Sequence, residues 1–150
     1  MADQIGDTTA VNGPAPLRYH LGSDVDPAAI AGVYQSVGWW RADSSLEQLA
    51  SALRGSAAVA SAWDGETAVG VARLISDGAM QGYINGVAVR PEYQRRGVGS
   101  ELVRMLIDTN PRLHYHLRTT SRRYSFYERL GFVRDETGME RFPKRDERRL

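Results

Sequence analysis

The most informative stretch of this chain is VAVRPEYQRRGVGS, residues 87–100. Its first three residues predict the end of a buried strand, the Arg-Pro pair makes a turn, and its glycines open a helix. The first turn of a helix carries N–H groups without intrahelical partners and the positive end of the helix dipole. Glycines there remove side chains that would hold an anion away. The stretch therefore predicts a phosphate-binding helix N-terminus, with Arg95 and Arg96 adding positive charge.

Two common phosphate-binding motifs are excluded by their spacing. A dinucleotide fingerprint needs a third glycine where this chain has Leu102, and a P-loop needs Gly-Lys-Ser/Thr where it has Gly99-Ser100-Glu101. On spacing alone, an ordinary helix start with two glycines fits the stretch about as well as an anion site does.

Upstream of this stretch, the pattern predicts a strand, two helices and three strands. The strands cover residues 17–21, 57–63, 67–75 and 83–89, with Asp-Gly turns between the last three. Asp26 before Pro27 predicts the start of the first helix, and Ser44 or Ser45 the start of a second over residues 46–53. Gly86 within a strand indicates either a bulge or a close approach of another part of the backbone.

Downstream, the pattern predicts a helix over residues 97–109, a strand over 113–118 and a short helix over 122–130. Two final short strands are expected at residues 132–133 and 139–142. A strand–helix–strand unit must pair its strands in parallel, so one crossover joins an otherwise antiparallel sheet. The fold class is α/β (α+β).

Composition limits the classes of function. The chain has no cysteine, which excludes a disulfide framework and a thiolate site, and its net charge of +1 is too balanced for a general nucleic-acid binder. No apolar run is long enough to span a membrane, and the first ten residues lack a signal pattern. We expect a cytoplasmic protein with a flexible lead at residues 1–16, one domain at residues 17–142 and a charged tail at residues 143–150.

Two segments resemble one known family. Gln94-Arg95-Arg96-Gly97-Val98-Gly99 resembles the acetyl-CoA-binding signature Gln/Arg-x-x-Gly-x-Gly/Ala of the GNAT acetyltransferase superfamily. Phe126-Tyr127-Glu128-Arg129-Leu130-Gly131-Phe132 resembles the family's FYEKLGF segment at the expected distance. The element order from residue 17 to residue 142 fits as well.

The resemblance implies a mixed, mainly antiparallel sheet of about six or seven strands with about four helices, splayed at the fourth and fifth strands. Acetyl-CoA would bind in the resulting cleft, with its pantetheine arm paired to the fourth strand and its pyrophosphate on the helix amides. The residues expected to bind the cofactor are Val87, Ala88, Val89, Gln94, Arg95, Arg96, Gly97, Val98, Gly99, Ser100 and Tyr127.

The resemblance also implies direct attack of an amine on the thioester, without an acyl-enzyme. Tyr127 is the expected proton donor to the departing thiolate, with Tyr124 as its rival. Many relatives place a carboxylate base on the fourth strand, but Asn85 and its neighbours offer none. His114 and His116, on one face of the next strand, are candidate bases because imidazole titrates in the physiological range. A water chain is equally admissible, and without a third ligand the pair predicts no metal site.

The loop after the first helix borders the acceptor pocket in this superfamily. Trp39 and Trp40 are therefore expected to bind substrate, together with Asn85, although packing of the two tryptophans in the core and as a lid fits the sequence about as well. An aromatic lid favours a compact acceptor, so we expect a small-molecule primary amine. Acetylation of a protein or peptide amine, a non-catalytic acyl-CoA-binding module, and acetylation of a charged tRNA are the alternatives, the last disfavoured by charge. A homodimer is common in the family.

Overall fold

The structure is a computed structural model that describes residues 15–143. Most of the predicted lead, residues 1–14, and the predicted tail after residue 143 lie outside the described residues. None of the helices in the described range is long and apolar enough to cross a bilayer. The sheet-bearing part of the chain ends at Arg118, and the described residues after it, 119–143, belong to a second unit.

The sheet has five strands in the order β1-β2-β3-β4-β5. Neighbours pair antiparallel except β4 and β5, which pair in parallel through the crossover that the sequence predicted. The strands are β1 (Arg18–Leu21), β2 (Ala58–Asp64), β3 (Thr67–Ser76), β4 (Gln81–Val89) and β5 (His114–Leu117). Two further strands were predicted after residue 131, and within residues 15–143 they do not form.

The helices begin where local chemistry predicts. Asp26 accepts a hydrogen bond from the N–H of Ala28 at 2.9 Å, and Ser45 accepts one from the N–H of Gln48 at 3.2 Å. Both caps satisfy an amide that has no intrahelical partner. The helices of the sheet-bearing part are α1 (Pro27–Ser36), α2 (Leu46–Gly55) and α3 (Val98–Thr109), with a 3₁₀ turn over Pro91–Tyr93 before α3.

Helices cover both faces of the sheet. On one face, α1 and α2 bury a core that includes Ile30, Val33 and Leu53 against β2 and β3. On the other face, α3 buries Leu102 and Leu106. A side chain at Gly70 would meet Leu102 at 3.0 Å, so α3 lies directly against β3 there. This close approach fixes the N-terminus of α3 beside the end of β4.

The fourth and fifth strands separate partway along their length. Their register runs from Gln81 opposite His114 to Ile84 opposite Leu117, and β5 then ends while β4 continues to Val89. The last five residues of β4 therefore have no β5 partner, which is the splay that the family resemblance implied.

A β-bulge lies in the part of β4 that pairs with β3 but has no partner in β5. Val71 pairs with Ala88 and Arg73 pairs with Asn85, so two residues of β4, Gly86 and Val87, face the single residue Ala72. Gly86 has φ +65°, a left-handed conformation that glycine adopts without strain. The bulge expected from the glycine within the strand is thus confirmed.

The C-terminal unit has a 3₁₀ turn over Ser121–Arg123 followed by α4 (Tyr124–Glu128). Residues 132–143 contain no strand, so the two predicted final strands are wrong for this structure. Val133, Met139 and Phe142 are 87%, 100% and 75% exposed, and the Asp135 carboxylate closes a local turn by accepting from the Thr137 N–H. An alternating pattern forms a strand only when a neighbouring strand hydrogen-bonds to it, and residues 132–143 pair with no strand of the described chain.

Candidate active site

The first turn of α3 presents unpaired backbone N–H groups. The first hydrogen bond of this helix runs from the Glu101 N–H to the Gly97 carbonyl at 3.0 Å, so the amides before Glu101 have no intrahelical partner. Gly97 caps the helix with φ +79°, and a Cβ built on it meets nothing within 4 Å. The space beside the Gly97 Cα is therefore open, as close approach of a diphosphate to this helix start requires.

The loop before α3 is held to β4 by one side chain of the predicted signature. The Gln94 amide donates to the Val89 carbonyl at 2.8 Å. Arg95 follows with φ +62°, the one non-glycine residue with positive φ among the described residues. Such a conformation costs a non-glycine residue about 1–2 kcal/mol and indicates that the surrounding loop imposes it. Arg95 and Arg96 are both exposed, which leaves their guanidinium groups available to an anion.

The end of β4 directs backbone groups toward the opening. The Arg90 N–H bonds to the Val69 carbonyl of β3 at 2.8 Å, so by alternation the backbone groups of Val89 point away from β3. Val87 lies two residues before Val89 on the same strand, so its backbone groups also point away from β3. Ala88 differs, because its backbone pairs with β3 and its side chain is buried in the core. Of the three predicted strand residues, Val87 and Val89 thus face the opening, while Ala88 supports the strand.

These features fit a coenzyme A-sized ligand. An extended arm can pair with β4 as an added strand, because Val87 and the Val89 N–H lack a strand partner on that side. Its phosphates can then reach the amides of residues 95–100. Val98, Gly99 and Ser100, the last of the predicted cofactor-binding residues on this helix, lie within that range. The chain itself supplies the strand edge, the dipole and the arginine charge that such a ligand needs.

The opposite face of the sheet carries an aromatic and polar cluster at the bulge. The Tyr34 hydroxyl donates to the Gly86 carbonyl at 3.1 Å, and the Trp39 ring stacks on Tyr34 with centroids 6.0 Å apart. Burial raises the pKa of Tyr34, which the nearby Arg73 guanidinium opposes. Trp39 is 47% exposed, so it can contact an acceptor, whereas Trp40 packs against the core below α1 and α2.

The sequence reasoning missed Arg73. Its guanidinium donates to the Asn85 side-chain oxygen at 2.7 Å and to the Ser56 hydroxyl at 3.2 Å, while its Nε is buried without a partner. The one available signal was an arginine inside the apolar run of β3. In register, Arg73 lies directly opposite Asn85, so both side chains sit on the face that α1 and α2 cover.

The two candidate histidines lie together on β5. The rings of His114 and His116 have centroids 4.2 Å apart, and His116 Nε2 lies 2.9 Å from the Gln81 side-chain oxygen. Tyr115, between them, hydrogen-bonds to the Asn110 carbonyl at the end of α3, so the histidines face the opposite side of the sheet. Within residues 15–143, no three His, Asp or Glu side chains gather at a possible metal site.

His116 also lines an open cavity of about 350 Å³. Ile75 and Tyr83 border the same cavity. Since Ile75 lies opposite Tyr83, and Tyr83 opposite His116, three strands contribute to one surface. Arg73 and Asn85 are the next pair along β3 and β4 on this surface. An acceptor site built there would have His116 at one end and the guanidinium near the other.

Tyr127 lies in the C-terminal unit. Its ring makes edge contacts with Phe126 and Phe132, at centroid distances of 4.8 and 5.8 Å. Burial raises the pKa of Tyr127, and the positive charge of Arg123 acts in the opposite direction. The phenol therefore stays protonated at physiological pH, as a hydrogen-bond donor must. Its rival Tyr124 is only partly buried and lies under the guanidinium of Arg134 at 4.5 Å.

Comparison with known proteins agrees with this geometry. The family model described as acetyltransferase (GNAT) domain matches residues 55–134. The chain is 33% identical over 137 residues to a Glycine max protein named histone acetyltransferase TAP1, and 32% identical over 146 residues to an Arabidopsis thaliana protein named GCN5-related N-acetyltransferase 2, chloroplastic. Each alignment covers 82% of this chain but only 58% and 56% of those relatives, so the chain spans under three fifths of their length.

A solved structure shares the fold over most of the chain. A GNAT family acetyltransferase from Streptococcus pneumoniae superposes with a TM-score of 0.75 and 29% sequence identity, covering 87% of this chain and 100% of that one. The family model spans more than half of the sequence, including the opening in the sheet and the start of α3. This chain therefore belongs to the GNAT acetyltransferase family.

Proposed function

We propose that this protein transfers an acetyl group from acetyl-CoA to the primary amine of a small molecule. The observation that carries the proposal is the end of β4, which has no β5 partner, beside the first amides of α3, which have no intrahelical partner. A strand edge and an anion site therefore adjoin one opening. We propose that the acceptor approaches from the sheet face that carries Asn85, beside which the exposed Trp39 lies.

When bound, acetyl-CoA supplies a thioester: the amine nitrogen bonds to its carbonyl carbon, the carbon–sulfur bond breaks, and one proton passes in net from nitrogen to sulfur. Residues 95–100 would hold the diphosphate, and Val87 and Val89 would orient the arm. The Val89 N–H, which lacks a strand partner, would donate to a developing oxyanion. Tyr127 would donate a hydrogen bond to the leaving sulfur.

An amine attacks only when neutral, so its proton needs an acceptor. No carboxylate is available on the unpaired part of β4, where Asn85 and Gly86 stand. His116 is the better placed of the two histidines, because it lies one pair before the strands separate and lines the open cavity. We propose His116, directly or through water, as the proton acceptor, with the tilted ring of His114 beside it at a centroid distance of 4.2 Å.

The test is release of CoA thiol from acetyl-CoA across a panel of primary amines, with the acetylated product identified by mass spectrometry. Turnover of at least one small amine supports the proposal. Calorimetry with CoA runs in parallel. Binding of CoA without turnover of any amine or peptide would identify a non-catalytic acyl-CoA-binding module instead, and loss of binding as well would remove the family's activity from this chain.

A protein or peptide amine is the second candidate acceptor. It is favoured by the curated relative named histone acetyltransferase, at 33% identity. Lysine-bearing peptides with blocked N-termini, and peptides with free N-termini but no lysine, should be compared with the small amines at equal concentration. Higher kcat/KM for either peptide set would replace the small-molecule proposal with this one.

Three wider expectations remain part of the proposal. We place the acetyltransferase domain at residues 17–142 and the protein in the cytoplasm, and we propose a homodimer. The dimer has one supporting feature, since β5 ends the sheet and its outer edge carries no strand among the described residues. Size-exclusion chromatography with light scattering tests it, and a monomer at micromolar concentration would contradict it.

A further inference from the structure

We infer that Arg73 and Asn85 form a recognition site for an oxyanion of the acceptor, so that the preferred acceptor is a small amine carrying a carboxylate or phosphate close to the amine. This inference rests on the proposed acetyl transfer and names the class of its second substrate. It concerns the sheet face under α1 and α2, on the opposite side from α3.

The first support is the unsatisfied charge of Arg73. A guanidinium has five N–H donors, and this one makes two hydrogen bonds, to the neutral oxygens of Asn85 and Ser56. Its Nε is buried without a partner, and no carboxylate within residues 15–143 forms an ion pair with it. A partly buried cation without a counter-ion is costly, and an oxyanion of the ligand would remove that cost.

The neighbours of Arg73 leave its charge uncompensated. Asn85 accepts from Nη2 as an amide, where an aspartate of the same shape would have neutralised the cation. Ser56 caps the C-terminus of α2, whose dipole offers only a partial negative charge. Arg73 is thus held by neutral groups, which include the Tyr34 hydroxyl whose pKa burial raises and the guanidinium lowers, and no carboxylate among them balances its charge. The planar guanidinium fork binds carboxylates and phosphates through paired hydrogen bonds.

The second support is the position of the cluster. Arg73 lies opposite Asn85, which begins the unpaired part of β4. Neighbouring strands are about 4.8 Å apart, so an amine over β4 and an oxyanion at Arg73 would be separated by roughly two to four covalent bonds. The exposed ring of Trp39, stacked on Tyr34, offers an apolar surface beside them. This arrangement suits compact amino acids and amino phosphates.

The test uses two matched acceptor pairs that differ in the oxyanion: L-phenylalanine with L-phenylalaninamide, and O-phosphoethanolamine with ethanolamine. Thiol release at saturating acetyl-CoA gives kcat/KM for each in the wild-type protein and in Arg73→Met, Arg73→Lys, Asn85→Asp and Arg104→Gln. Arg104 is exposed on α3, far from this face, and serves as the matched control. The ratio of anionic to neutral acceptor within a pair cancels general effects of a variant.

We expect the ratio to fall roughly tenfold to a hundredfold in Arg73→Met, as for a lost charged hydrogen bond. Asn85→Asp should lower the ratio similarly, because the new carboxylate neutralises the charge of Arg73 while the arginine stays in place. Arg73→Lys should retain part of the preference, and Arg104→Gln all of it. Whether the phenylalanine or the phosphoethanolamine pair shows the effect identifies the oxyanion as carboxylate or phosphate.

A structural role for Arg73 would lower the unfolding midpoint and reduce kcat/KM for both members of a pair equally. Unchanged ratios in Arg73→Met and Asn85→Asp, with all acceptors turned over, would overturn the inference while the transferase function stands. No thiol release with any acceptor would overturn both. Calorimetry adds a readout without turnover: L-phenylalanine or O-phosphoethanolamine should bind the CoA-saturated wild-type protein at least tenfold more tightly than Asn85→Asp, and equal binding would count against the site.

Discussion

Gly97 combines two properties that a diphosphate site needs. Its φ of +79° turns the chain into α3, and the space beyond its Cα is open. Asparagine and aspartate both tolerate this left-handed conformation better than other side chains and differ only in charge. We predict that Gly97→Asp weakens CoA binding at least tenfold more than Gly97→Asn does, because its carboxylate repels the diphosphate. Calorimetry at low ionic strength measures the difference.

Added salt provides the control for this pair. Since the repulsion is electrostatic and exposed, the gap between the two variants should narrow as ionic strength rises. Their unfolding midpoints should stay close to each other, because either side chain can cap α3. Equal CoA affinity of the two variants at low salt would mean that no phosphate lies over Gly97.

Tyr127 yields a prediction about the pH dependence of the reaction. Burial raises the pKa of its phenol above the ordinary value of 10.0, so the donor form persists as pH rises. The wild-type kcat should therefore show no loss from Tyr127 ionisation below about pH 10. Tyr127→Phe should lower kcat about tenfold or more while leaving the KM for acetyl-CoA within twofold, in steady-state assays from pH 6 to 9.5. A kcat equal to that of the wild type would remove Tyr127 from the reaction.

The roles of some single residues could be predicted from the sequence, whereas others could not. The caps Asp26 and Ser45 act on amides two or three residues away, so their role is local and was predicted correctly. Arg73 acts through a hydrogen bond to Asn85, 12 residues along the chain on another strand. Only the strand register brings the two together, and the bulge at Gly86 sets that register. Sequence reasoning named Asn85 and could not name its partner.

At the scale of the secondary-structure element, the bulge in β4 can be tested by a mutational cycle. A Cβ on Gly86 would collide with the Tyr34 hydroxyl and would also hold a left-handed conformation. We predict that Gly86→Ala lowers the free energy of unfolding by about 2–4 kcal/mol. Tyr34→Phe alone should cost about 1 kcal/mol, the value of a hydrogen bond to the Gly86 carbonyl.

The double variant separates the two causes. Removing the hydroxyl relieves the collision but not the backbone strain, so the pair should be less destabilising than the sum by about 1 kcal/mol or more. Urea unfolding followed by circular dichroism gives all three values. Strict additivity would show that Gly86 and Tyr34 do not share the contact at the bulge.

Elements with local signals were predicted better than those that depend on a partner. The Asp-Gly turns and the proline after β4 placed β2, β3 and β4 to within two residues of their observed bounds. The final strands at residues 132–133 and 139–142 rested on an apolar pattern alone. That pattern fixes which side chains would share a face, but a strand also needs a neighbouring edge, which the sequence does not name.

The sheet as a whole assigns different chemistry to its two faces. The amides of α3 lie on one face, while Tyr34, Trp39, Arg73 and His116 lie on the other. Between the two faces, the splay leaves the last five residues of β4 without a partner in β5. The family resemblance predicted this opening from two short motifs. The proposed acceptor site was not predictable in the same way, since it combines side chains from three strands.

The pH dependence of stability is a property of the whole molecule. Tyr19, Tyr34, Tyr93, Tyr115 and Tyr127 all have a pKa raised above 10.0, from burial or, for Tyr93, from its bond to Asp64. A raised pKa means that the folded state holds its proton where the unfolded state has released it. The stabilisation is complete below pH 10 and is lost as pH rises through the folded pKa.

Few other groups obscure this alkaline transition, because the chain has 19 basic side chains of which only Lys144 is a lysine, and arginine stays charged. We predict that the urea midpoint is constant from pH 8 to 9.5 and falls between pH 10 and 11.5. Each buried tyrosine still protonated in the folded state contributes a slope of about 1.4 kcal/mol per pH unit. Tyr34→Phe, which removes the largely buried phenol next to Arg73, should reduce that slope. A midpoint independent of pH up to 11.5 would show that the folded protein releases its tyrosine protons as readily as the unfolded chain does.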